Sequence, residues 1–202
     1  ANEGLVFICG DEKKTSIIEI NCETDFVAKN DDFAKLTQSL LDIAVANKPA
    51  NLDELKSLKF DDSLTVEEKI TEQIGVIGEK LDLNYEVVEA DYVLAYNHPG
   101  NQVATVVGFN KGADVVGEAG DYVAMQVASM APIAVDKDKV SEEVVAKELE
   151  IGKELAIQEG KPAEMAEKIA MGRLNKFFKE NTLLNQAFII DNKKSVRDYL
   201  KD

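Results

Sequence analysis

Leu5-Val6-Phe7-Ile8-Cys9 and Ser16-Ile17-Ile18-Glu19-Ile20, parted by the charged turn Asp11-Glu12-Lys13-Lys14, decide the fold class. Two runs rich in β-branched and aromatic residues around a short polar turn read as a β-hairpin. Its register sets Cys9 opposite a residue near Ser16 and not opposite Cys22. A disulfide needs Cα atoms within about 7 Å of each other, which this register does not offer, so both thiols are expected to be reduced, as in a reducing compartment. Helices follow the hairpin. Asn30-Asp31-Asp32 supplies N-cap residue types, and from Phe33 apolar residues recur at Leu36, Leu40, Ile43 and Ala44, the three-and-four spacing of an amphipathic helix. Shorter helices are expected near Leu52 to Leu58 and near Thr65 to Glu79. The second opens with Thr65 and has Glu68 three residues on, the pattern of a capping box.

Farther along, Tyr85 to Tyr96 reads as extended, and a turn at Asn97-His98-Pro99-Gly100 leads into a strand from Gln102 to Phe109. Tyr122 to Met130 reads as helix. The order of elements predicts an α+β fold: two similar lobes of antiparallel sheet packed with helices, although no sequence repeat relates them. Ser141 to Lys179 differs. Ser141 is a good N-cap, and Val145, Leu149, Gly152 and Ala156 form an apolar stripe. Gly160-Lys161-Pro162 then ends one helix and starts the next, since glycine suits the left-handed C-terminal position and proline the first turn. This is an antiparallel helical hairpin, either projecting from the body or packed flat on it. The expected organisation is an N-terminal core lobe over residues 1–95, a C-terminal core lobe over 96–139 and 180–202, and the hairpin inserted as 140–179.

At 202 residues, 45% hydrophobic and 30% charged, the chain has the composition of a globular protein. Its formal net charge of −15, with a single histidine and no tryptophan, argues against direct nucleic-acid binding, which draws its affinity from cations set against phosphates. The same charge disfavours anionic membranes. It suits a protein partner or simply solubility. No apolar run approaches the roughly 20 residues of a membrane span, and Ala1 to Gly10 has no basic segment of the kind that begins an export signal.

Catalytic chemistry finds no candidate. There is no Gly-Lys-Ser/Thr phosphate loop and no Gly-x-Gly-x-x-Gly. His98, the single histidine, has no neighbouring cysteine or histidine to form a metal site and no Gly-x-Ser-x-Gly nucleophile to serve. Asp31-Asp32, Asp61-Asp62 and Glu142-Glu143 are carboxylate pairs, but each stands at an expected helix start, where acidic groups meet the helix dipole favourably. The chain is therefore expected not to be an enzyme and to need no cofactor, metal or small-molecule substrate.

Asn21-Cys22-Glu23-Thr24-Asp25-Phe26-Val27-Ala28-Lys29-Asn30 connects a strand to a helix, and such connections lie on the surface. Phe26 there has two readings. It tucks into the core as a staple for the next helix, or it stands out beside Asp25 as an apolar wedge for a partner. Burying a phenylalanine is worth roughly 1.5–3 kcal/mol, enough for one side chain to anchor an interface.

This decapeptide resembles the signature of the elongation factor Ts family, the guanine-nucleotide exchange factors for elongation factor Tu. The resemblance continues through Ile77-Gly78-Glu79, Tyr96-Asn97-His98 and Val123-Ala124-Met125-Gln126-Val127-Ala128. It is closest in Gly160-Lys161-Pro162-Ala163-Glu164-Met165-Ala166-Glu167-Lys168-Ile169 with Gly172-Arg173-Leu174, and in Leu183-Leu184-Asn185-Gln186-Ala187-Phe188, so it covers essentially the whole chain. It implies a cytoplasmic protein whose partner is the GTPase elongation factor Tu. The family's Thr-Asp-Phe-Val segment enters the nucleotide-binding domain near the magnesium site. By this resemblance those roles fall on Asp25 and Phe26, with Thr24 and Val27 shaping the loop. The family's isoleucine-glycine contact matches Ile77 and Gly78, and its histidine matches His98. The hairpin, Val140 to Lys179, matches one that projects and reaches the partner's other domains. Two departures stand out: the family's N-terminal helical module is not in this sequence, and the family commonly continues with a further strand beyond Ser195 to Asp202. The alternative function is a scaffold that binds a protein without promoting exchange.

Overall fold

A computed structural model describes residues 3–202. Ala1 and Asn2, which open the expected N-terminal lobe and the stretch read for an export signal, lie outside the described residues. The chain divides into two compact units, the first ending at Ala124 and the second running from Met125 to Asp202.

In the first unit β1 (Glu3–Gly10) and β2 (Lys14–Cys22) form the expected hairpin, and β3 (Asp82–Glu89) joins the far side of β2 in an antiparallel sheet of order β1-β2-β3. Cys9 pairs with Ser16 and Cys22 with Glu3, so both thiols are free, Cys9 exposed and Cys22 buried. Ile18, Ile20 and Cys22 are buried while Ile17, Glu19 and Asn21, alternating with them, are less so, the period of a half-buried strand.

Helices cover that face. α1 (Asp25–Ala28) is a single turn, and α2 (Asp31–Asn47) begins where Asn30 accepts the Asp32 N–H at 2.8 Å. Phe33, Leu36, Leu40, Leu41 and Ala44 form the buried stripe of α2, packed on β1 and β2. α3 (Leu52–Ser57) contributes Leu55, and α4 (Val66–Ile77) contributes Val66 and Ile70. The capping box is formed: Thr65 Oγ1 accepts the Glu68 N–H at 3.2 Å, and Glu68 Oε1 accepts the Thr65 N–H at 3.1 Å.

Tyr85 to Tyr96, expected as one extended stretch, is two strands in different sheets. β3 ends at Glu89, and β4 (Tyr92–Asn97) pairs instead with β5 (Ala104–Phe109) in a two-stranded antiparallel sheet. The β1–β2 turn makes the switch. Glu12 and Lys13 carbonyls accept the Val93 and Ala90 N–H groups, and Lys13 Nζ donates to the Asp91 carbonyl at 2.6 Å. The helix expected from Tyr122 already begins at Ala113: α5 (Ala113–Met130) contains a break at Gly117, with φ 50° and ψ −141°. Only glycine enters that conformation without a steric penalty, so two helical pieces read from sequence as a late start. Gly120 brings α5 over the two-stranded sheet, where a Cβ would lie 3.3 Å from Leu94 Cδ1 and 3.6 Å from Phe109 Cε2.

The second unit holds α6 (Glu142–Gln158), α7 (Ala163–Asn181) and α8 (Val196–Lys201). Ser141 caps α6, and Gly160 at φ 78° reverses the chain into α7, as expected. Gly152, Ala156, Ala166, Ala170 and Leu174 fill the seam between the two helices. At the base, Gln126 and Gln186 are buried and bonded to each other, and Gln126 Oε1 also accepts the Ile189 N–H at 2.8 Å. Strands and helices thus segregate as the α+β expectation holds. Among the described residues, no helix is long and apolar enough to cross a membrane.

Candidate partner-binding loop

β2 ends at Cys22, whose buried thiol donates to the Thr24 carbonyl at 3.3 Å. Thr24, in extended conformation, is the N-cap of α1, its hydroxyl oxygen accepting the Val27 N–H at 3.4 Å. One turn of helix cannot orient all its side chains alike. Ala28 is buried, and Val27 packs against the core cluster of the first unit. Phe26 is left pointing outward, 83% exposed. Of the two readings open from sequence, burial as a staple is thereby excluded for this ring.

Asp25 follows the cap in the first turn. Lys29 Nζ donates to its Oδ2 at 2.8 Å, a four-residue pairing along the chain. That hydrogen bond and the lysine's charge hold the Asp25 carboxyl below its ordinary range and push the Lys29 ammonium above its own. An ionised carboxylate and an uncovered aromatic ring therefore stand side by side.

Ile77 and Gly78 end α4. Ile77 packs partly on the core, while Gly78 takes the left-handed cap conformation at φ 77°, with open space where a Cβ would be. Val76, just before them, is exposed. The structure joins this segment to the Phe26 loop through Thr24 and through Glu23, Glu79 and Lys80, three residues that the sequence reading gave no role. Glu79 Oε1 accepts the Thr24 hydroxyl at 2.5 Å, and Oε2 accepts the Glu23 and Thr24 N–H groups at 2.8 and 3.1 Å. Glu23 returns the contact, its Oε2 accepting the Lys80 N–H at 3.1 Å. The Thr24 hydroxyl, foremost, and the two backbone donors hold the Glu79 carboxyl below its ordinary range. Glu79 was visible in sequence only as the residue after Ile77-Gly78.

His98 is carried by a separate element, the β4–β5 turn. Its Nδ1 lies 3.0 Å from Tyr96 Oη, and its N–H donates to the Val103 carbonyl at 2.9 Å. The turn is fixed to the edge of the three-stranded sheet, where the Val6 N–H donates to the Asn101 carbonyl at 2.7 Å. Thr24 to Val27 and Ile77-Gly78 are thus brought together, while His98 stands on the β4–β5 turn, tied to β1.

The family model described as elongation factor TS matches residues 23–202. The chain is 52% identical over 188 residues to elongation factor Ts of Amoebophilus asiaticus, covering 92% of this chain and 67% of that protein. It is 46% identical to elongation factor Ts of Christiangramia forsetii, over 95% of this chain and 69% of the relative. With elongation factor Ts of Azobacteroides pseudotrichonymphae it shares 44% identity over 100% of this chain and 73% of the relative. A match of that extent, through every element from the Phe26 loop to α8, shows that the chain belongs to the elongation factor Ts family of translation elongation factors.

Proposed function

We propose that this chain binds elongation factor Tu and promotes GDP release by inserting Asp25 and Phe26 beside the partner's magnesium and nucleotide. Ile77, Gly78 and His98 make further contacts, and Thr24 and Val27 shape the loop. The observation that carries this reading is the outward Phe26 ring, 83% exposed on a turn whose next two residues face the core. A large apolar side chain held in water is costly unless a partner covers it.

Exchange of this kind needs no bond to be made or broken by the factor itself. A protein that binds the nucleotide-free GTPase more tightly than the GDP-bound one weakens GDP binding by the same factor, because the two equilibria are linked. The Phe26 ring would displace groups that hold the cation. The cation is the largest local charge opposing the phosphates, so its loss frees the nucleotide. The Asp25 carboxylate, held ionised by Lys29, would stand beside Phe26 close to the cation.

Stopped-flow release of a fluorescent GDP from elongation factor Tu tests this. Phe26→Ala should lower the maximal release rate by one to two orders of magnitude, roughly the cost of one buried aromatic anchor. Release at the unsubstituted rate would overturn the assignment. A complex that persists undiminished when GDP is added would favour the scaffold alternative.

A further inference from the structure

α1 has four residues, and a single helical turn costs more to nucleate than its own hydrogen bonds return. Its conformation, and with it the direction of Phe26, must be imposed from outside. From below, Cys22 holds the Thr24 carbonyl, and Val27 and Ala28 rest on the core. Val27 and Ala28 fix the far end of the turn. The near end, Thr24, is held by Cys22 at its carbonyl and by Glu79, whose carboxylate accepts both its N–H and its hydroxyl hydrogen. With that proton committed to Glu79, the Thr24 oxygen lone pairs are aimed at Val27, so the cap hydrogen bond of α1 depends on a residue 55 positions away in sequence. The return bond from Glu23 to the Lys80 N–H closes the link on the other side of Gly78.

We propose that Glu79 is a positioning residue for exchange: it sets α1 so that Phe26 already points outward before a partner arrives, and it locks that turn to Ile77-Gly78 as one surface. This rests on the reading of Phe26 given above. A loop ordered beforehand does not have to be ordered on binding, so its competent fraction is close to one. Without Glu79 that fraction falls, and the apparent affinity falls by the same factor. The bound complex is unchanged, since the partner then imposes the geometry.

The two roles separate in a titration of GDP release against this chain. Glu79→Ala should raise the half-saturating concentration about tenfold, the scale of one lost charge-assisted hydrogen bond, with the maximal rate kept. Phe26→Ala should lower the maximal rate. Glu79→Gln, whose carbonyl still accepts the backbone N–H groups but whose NH2 group cannot accept the Thr24 hydroxyl, should recover part of the affinity. Amide hydrogen exchange in the chain by itself supplies a readout that needs no partner. The Glu23 and Thr24 amides should lose protection in Glu79→Ala, while those of the Ile18 and Ile20 strand keep theirs. A titration curve for Glu79→Ala that superimposes on the unsubstituted one overturns the proposal, as does a lower maximal rate at unchanged half-saturation or unchanged protection at Glu23 and Thr24. Unchanged release by Phe26→Ala would instead overturn the reading of the wedge, leaving the protection data to decide whether Glu79 orders the turn.

Discussion

Gly152 meets Ala170 almost backbone to backbone: a Cβ built on the glycine would lie 3.0 Å from the Ala170 Cα and 3.1 Å from its Cβ. The hairpin of α6 and α7 closes at that point because neither residue carries bulk. Gly172, two residues on in α7, faces open space. Gly152→Val should therefore force the helices apart and cost about 1–3 kcal/mol. Gly172→Ala should stabilise by about 0.5–1 kcal/mol through helix propensity and a less mobile unfolded chain. Urea unfolding monitored by circular dichroism distinguishes them, and equal effects of the same sign would contradict this account of the seam.

Phe26 and Phe33 stand on either side of the α1–α2 junction with opposite exposures, 83% and 2%. Phe33→Ala opens a cavity in the main core and should cost about 3–5 kcal/mol. Phe26→Ala removes a ring that touches solvent, and its unfolding free energy should stay within about 0.5 kcal/mol of that of the unsubstituted chain. A marked loss of stability in Phe26→Ala would mean that the ring serves the fold, and its kinetic effect would then need another explanation.

Asp136 gathers three donors. Its Oδ2 is bonded to Arg197, and its Oδ1 accepts Asn185 Nδ2 and the Lys137 N–H, each at 2.8 Å. Arg197, foremost, with Asn185 and the Lys137 amide, holds the Asp136 carboxyl down at about 2. The folded value lies below the unfolded one, near 3.9, so the folded state binds fewer protons between them. The stabilisation is present above about pH 4 and is lost as pH falls through about 2. Arg197 is more than a third exposed, so solvent screening reduces the contribution to the order of 1 kcal/mol. Asp136→Asn should lower stability at pH 6 and flatten the loss between pH 4 and pH 2 relative to the unsubstituted chain. Parallel acid profiles for the two proteins would rule out this coupling.

Local chemistry was legible wherever the deciding atoms are near in sequence. Asn30, Thr65 with Glu68, and Ser141 all cap the helices they were expected to cap, because each bond spans two or three residues. The pairing of Cys9 with Ser16 follows from a short turn and a period of two. The switch between sheets at Ala90 and Asp91 was hidden, since β-branched and aromatic residues stand on both sides of it and its cause is the backbone of Glu12 and Lys13. The early start of α5 was hidden by the break at Gly117.

The candidate site divides in the same way. Thr24 to Val27, Ile77-Gly78 and His98 were found by their likeness to a family, residue by residue, with no knowledge of their neighbours. The role of Glu79 was not found, because a hydrogen bond across 55 positions leaves no periodicity to read. By itself the sequence determined the α+β class, the helix caps, the hairpin of small residues and the family, since propensity, patterning and motif are properties of consecutive residues. Tertiary structure decided that Phe26 faces water. Val27 and Ala28 take the inward positions of that turn, and burial depends on which neighbours reach the core first.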